Sequence, residues 1–129
     1  EHREPFVIGF RRRVKVLGGP FIEDDRLADL GLPDPLKIIR LAFGCNLGVN
    51  TSVFRLLGGF DEAFVGWGFE DLDFAARVYE RHYCMVFDRD IITYHIDHPL
   101  RSNYHPELTA RNRSRYLASL ERACQAQPL

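Results

Sequence analysis

The chain predicts a single α/β domain, on three observations. Short apolar, β-rich runs stand at residues 6–10, 84–87 and 91–94. Apolar residues at helical spacing follow Glu70 and again follow Pro106. Stretches rich in Gly, Pro and Asp separate these segments, and 129 residues with 46% hydrophobic content suffice for one globular core but are few for an enzyme that grips two substrates.

In chain order, residues 6–10 (Phe-Val-Ile-Gly-Phe) predict a buried strand that frays where Arg11, Arg12, Arg13 and Lys15 form a solvated strand edge. Residues 18–35 predict mostly loop, with one short helical turn at 25–30, and Glu23, Asp24 and Asp25 read as solvated acids or part of an acceptor loop. A second apolar run at 36–43 ends at Gly44. An extended segment at 46–49 precedes a helix capped by Thr51 or Ser52 and ended by Gly58.

A second helix begins at Glu70 or Asp71, where acid suits the positive helix end. Phe74, Ala75, Val78 and Tyr79 form its apolar stripe, and Arg77, Glu80 and Arg81 face water. Two short strands at 84–87 and 91–94 flank a hairpin turn at Asp88, Arg89 and Asp90, and Pro99 stops regular structure. Pro106 opens a last helix with Tyr116, Leu117, Leu120, Ala123 and Cys124 on one face.

A formal charge of -1 gives no global attraction to nucleic acid or anionic membrane. Three cysteines without metal-finger spacing favour reduced thiols over a disulfide framework, and with them a cytoplasmic location, at most peripheral to the membrane face. No apolar run approaches the ~20 residues of a membrane span. The first residue is Glu1 rather than methionine, which suggests an excised piece.

Residues 58–74 carry the chemistry. Glycines at 58, 59, 66 and 68 allow turns that bring Trp67 toward the Glu70 and Asp71 carboxylates. Trp67 offers a flat apolar face for the C–H side of a sugar ring, although a lone tryptophan in a small domain is as a rule a core residue. A carboxylate near a hydroxyl can act as general base, although acids here can also simply cap the helix.

The order Gly-Gly-Phe-Asp-Glu, then Gly-Trp-Gly, then Glu-Asp opening a helix resembles the acceptor-side signature of inverting glycosyltransferases of the GT-A fold, namely family 2 enzymes and the C-terminal domain of the β-1,4-galactosyltransferase group. The resemblance covers residues 41–99, with a weaker part at 6–12. It implies that residues 1–129 are one domain, the C-terminal, acceptor-side part of a longer GT-A chain with a mixed sheet and flanking helices. A nucleotide-binding half would precede Glu1.

It further implies sugar transfer from a nucleotide-sugar, UDP-sugar above all, to a glycan or other hydroxyl. Asp71 would be the base, with Glu70, Trp67 and Gly68 at the acceptor and Asn46, before Gly48 and Asn50, at the donor sugar. His95 would complete a Mn²⁺ or Mg²⁺ site, with His98 as alternative or second ligand in the run Tyr-His-Ile-Asp-His-Pro. Phe69 departs from the small residue, commonly glycine, that the family places there, which implies a narrowed or reshaped acceptor pocket. The Asp-x-Asp metal motif expected upstream is not found; Asp71-Leu72-Asp73 and Asp88-Arg89-Asp90 match only its letters. A carbohydrate-binding module without transfer activity, and a metal-binding domain built on His95, Asp97 and His98, are the rival readings.

Overall fold

The computed structural model describes residues 6–15, 21–23, 39–42, 44–96 and 104–126. Strand β1 (Phe6–Lys15) is the centre of a mixed sheet. It pairs in parallel with β4 (Met85–Ile96) along its length, and antiparallel with β2 (Phe21–Glu23) and β3 (Leu47–Gly48). The basic run therefore does not fray the strand or form an edge. Arg13 stands opposite Tyr94 in β4 and Glu23 in β2, so backbone pairing on both sides carries the strand to Lys15. Glu23 lies in that short paired strand rather than in a loop.

The expected hairpin at 88–90 is also corrected. Residues 85–96 form one strand, whose register against β1 steps from Gly9↔Asp88 to Arg11↔Ile92. The polar break is thus taken up as a bulge that inserts extra residues into β4 while parallel pairing resumes beyond it.

Helix α1 (Thr51–Leu56) is capped by Asn50, one residue before the expected caps: its side chain accepts from the Ser52 N–H at 2.8 Å. At the other end Gly58 donates to Arg55 O (3.0 Å) and Gly59 to Phe54 O (2.8 Å), the paired bonds of a Schellman motif. Gly59, at φ 69°, also leaves room for the Phe54 ring, which would lie 3.0 Å from an added Cβ. Phe54, Phe60 and Phe74 meet here with ring centroids 5.2–5.4 Å apart.

Helix α2 (Glu70–Glu80) and helix α3 (Pro106–Gln125) pack on one another. Ile39, Leu41, Ala42, Phe74, Ala75, Ala76, Val78, Tyr116 and Ala123 make the core, with Tyr79 and Leu120 packed on it. Residues 39–42 enter it through a turn closed by Ala42 N–H to Ile39 O.

Two helix faces differ from expectation. Arg77 is turned inward: Nε meets Asp73 at 2.9 Å, and the two terminal nitrogens donate to Leu57 O and Gly59 O at 2.8 Å. On α3, Leu117 and Cys124 are exposed while Asn112 and Ser119 are buried with Tyr116 and Ala123. Cross-element hydrogen bonds override the apolar stripe there: the Ser119 hydroxyl donates to Asp73 at 2.5 Å. Cys84 and Cys124 are free, exposed thiols. Among the described residues no helix is long and apolar enough to cross a membrane. The predicted turn at 25–30, the stop at Pro99, and Asp97 and His98 lie outside the described residues.

Candidate functional site

The segment before α2 is a tightly coiled turn. Gly66, Gly68 and Phe69 have φ of 81°, 96° and 76°, a left-handed run that glycine accepts and phenylalanine resists. The turn sends Trp67 outward, 62% exposed, and sets it edge-on to Tyr104 with ring centroids 6.3 Å apart and planes at 64°. Trp67 is therefore not a core residue. Together with Tyr104 it makes an exposed aromatic corner, to which residue 104 adds a ring that the sequence pattern did not single out.

The Phe69 ring stacks on Tyr116 of α3 (5.7 Å, 25°) and is partly buried against the core. Burial raises the Tyr116 phenol above its usual 10.0. The nearby Arg40 guanidinium counters part of that rise, without hydrogen-bond geometry to the hydroxyl.

Asp71 and Glu70 occupy the first turn of α2, where backbone N–H groups lack partners. The N-cap, Phe69, has no side-chain capping bond. Asp71 Oδ1 accepts from Leu72 N–H at 2.8 Å, so part of the expected capping role is real. Its other oxygen does something a cap would not: Oδ2 accepts from Gly44 N–H at 2.7 Å, across 27 residues. Two backbone donors thus orient the carboxylate, and among the described residues no other hydrogen bond fills its remaining lone-pair sites. The Glu70 side chain, at the half-buried helix start, makes no hydrogen bond among the described residues.

Gly44 belongs to a 3₁₀ turn, Gly44–Asn46, that leads into β3. The same turn carries Asn46, whose Nδ2 reaches Ile91 O of β4 at 3.5 Å. So the structure brings Asn46 and Asp71 to one short turn between sheet and helix. His95 is placed by its backbone alone, near the end of β4 opposite Val14 and roughly 13 Å along the strand from Ile91. Among the described residues no three His, Cys, Asp or Glu side chains converge on a metal position.

A separate open cavity of about 470 Å³ lies between α2, α3 and residues 57–64, lined by Asp61, Asp73, Arg77, Arg115, Ser119 and Arg122 among others. Asp71 and Asp73 are about 200° apart around the helix, so the cavity opens on the far side of α2 from the Gly44 contact. Arg115 pairs with Asp61 at 3.0 Å and Arg122 with Ser119 at 2.8 Å. With the three bonds of Arg77, these contacts make the lining a network that ties α2, α3 and the 57–61 turn together.

Residues 36–99 match the family described as the N-terminal domain of galactosyltransferase. That stretch, which holds the 3₁₀ turn, α1, the glycine-rich turn, α2 and β4, is similar to a galactosyltransferase-type domain. The match supports neither membership of family 2 nor the C-terminal placement expected from the sequence. No curated protein matches the chain.

Proposed function

We propose that the chain is the acceptor-side part of an inverting glycosyltransferase of the GT-A type, acting on a nucleotide-sugar, UDP-sugar by preference. The observation that carries this is the junction at residues 66–71, where an exposed indole precedes a carboxylate oriented by two backbone N–H groups. It lies within the galactosyltransferase-type stretch.

In this reading the acceptor sugar lies on Trp67, with Gly68 letting its edge approach the backbone and Glu70 accepting from its hydroxyls. The reacting hydroxyl points at a free lone pair of Asp71. As its oxygen bonds to the anomeric carbon, the proton passes to the carboxylate; the bond from that carbon to the diphosphate oxygen breaks, and its electron pair leaves with the diphosphate. Attack opposite the leaving group inverts the centre. Asn46, held between Asp71's turn and β4, faces the donor sugar. His95, with His98, would hold Mn²⁺ or Mg²⁺, a donor type suited to manganese, which would neutralise the leaving diphosphate.

The exposed Trp67–Tyr104 corner would also serve a carbohydrate-binding module without transfer activity. One experiment separates the two: incubate the chain, and a longer parent protein, with UDP-galactose, Mn²⁺ and a panel of monosaccharide acceptors, and follow UDP release. Acceptor-dependent release abolished by Asp71→Asn supports transfer. Saccharide binding with no release from either protein leaves the binding module and sinks the enzyme reading.

A further inference from the structure

Asn112 lies on α3, far in sequence from the glycine-rich turn, and is 1% exposed. Its side chain does not serve its own helix. Nδ2 donates to Val65 O at 3.1 Å and to Trp67 O at 3.5 Å, across 47 and 45 residues. Both acceptors are carbonyls of the glycine-rich turn, which lies outside the described helices and strands. We propose that Asn112 is a positioning residue that sets the Trp67 indole in place for a saccharide ligand, and so controls acceptor affinity; this rests on the acceptor role of Trp67 proposed above.

Three features support it. Burying an amide is unfavourable unless it is bonded, and Oδ1 of Asn112 is buried without a partner among the described residues, so only the donor end of the side chain offsets that cost. Two carbonyl acceptors also require that the NH₂ end, not the oxygen, faces the turn. Finally, the other contacts of the turn are made through side chains: Phe69 stacks on Tyr116, Leu108 fills the space beside Gly66, 3.3 Å from where a Cβ would stand, and Tyr104 stands edge-on to the indole. Of these, only Asn112 grips the backbone of residue 67 itself.

Trp67 is the only tryptophan, so its fluorescence reports the turn without interference. The test compares the full chain with Asn112→Leu, which keeps side-chain bulk and removes the donor, and with Ser119→Ala, which breaks a buried bond on the same helix face. Asn112→Leu should lower Trp67 anisotropy and increase acrylamide quenching, while Ser119→Ala leaves both unchanged at similar loss of thermal stability. Titration with glucose, galactose and N-acetylglucosamine should show saccharide affinity weakened about fivefold to tenfold in Asn112→Leu only. In an active preparation the same factor should appear in acceptor KM, with donor KM unchanged.

A folded Asn112→Leu with unaltered Trp67 anisotropy overturns the proposal. Should that variant not fold, the unaltered chain decides by NMR. Asn112 side-chain amide protons that exchange slowly and shift on saccharide addition support the proposal, and protons exchanging at the solvent rate overturn it. Absence of transfer with every acceptor would remove the enzyme reading but not the anisotropy result, so the two failures are distinguishable.

Discussion

The Asp71 carboxylate accepts the Gly44 N–H at 2.7 Å, joining the first turn of α2 to the turn that enters β3. Because a carboxamide oxygen can accept the same bond, Asp71→Asn should separate chemistry from structure. The amide keeps one of the two acceptor oxygens, so one N–H bond is lost and thermal stability should fall by about 1–2 kcal/mol. Transfer should fall by about 10²–10⁴, as expected when a general base is removed. Paired calorimetry and UDP-release assays measure both, and a large loss of stability alongside the lost activity would make Asp71 a structural residue.

Arg77 carries a different kind of weight. It satisfies the Asp73 carboxylate and two carbonyls of the turn after α1, and lies over the Phe74 ring at 5.2 Å. A lysine can keep a charge near Asp73 but cannot reproduce the planar fork that reaches both carbonyls. Arg77→Lys should cost about 2 kcal/mol and Arg77→Ala about 3–4 kcal/mol, since the latter leaves a buried carboxylate unpaired. Urea titration followed by circular dichroism would read these losses, and equal effects of the two variants would show that only charge matters.

What local chemistry determines was legible in the sequence, and what depends on distant partners was not. Gly58, the acids at 70–71 and Pro106 mark helix ends because each acts within one turn of itself. The break at Asp88–Asp90 was visible as well, but polar residues suit a bulge as readily as a hairpin, and only pairing with β1 decides between them. Arg77 looked solvated because the carbonyls that hold it lie 18 and 20 residues away. Asn112 was missed for the same reason: nothing near it in sequence reveals that its partners are the carbonyls beside Gly66. The exposure of Trp67 was foreseeable from its flanking glycines, whereas the inward stacking of Phe69 needed α3.

Phe69 sets backbone strain against packing. A left-handed residue with a side chain costs about 1–2 kcal/mol relative to glycine there. Its ring, packed on the core and stacked on Tyr116, returns more than that, about 2–4 kcal/mol from burial and stacking together. Phe69→Gly should therefore lower stability by about 1–2 kcal/mol in spite of relieving the strain, with little change in saccharide affinity. A stabilised variant with tighter saccharide binding would show instead that the ring obstructs the site.

The Asp61–Arg115 pair ties the 57–61 turn to α3 and gives the chain a pH-dependent component of stability. The bond from Ala63 N–H, at 2.9 Å, and then the Arg115 guanidinium at 3.0 Å hold the Asp61 carboxyl below its usual 3.8. A depressed folded value means that the unfolded chain takes up the proton first as acid is added. The contribution is therefore complete above 3.8 and disappears as pH falls through the lower folded value. Both side chains are about 40% exposed, so screening limits the pair to about 0.5 kcal/mol. Asp61→Asn keeps an acceptor for Ala63 N–H but loses the ion pair. Its stability should lie slightly below that of the unaltered chain at pH 6, with the gap closing by pH 2–3 and shrinking in 1 M salt. Denaturant midpoints measured across that range would check this, and a gap that persists at pH 2 would assign the effect to the turn rather than to the charge.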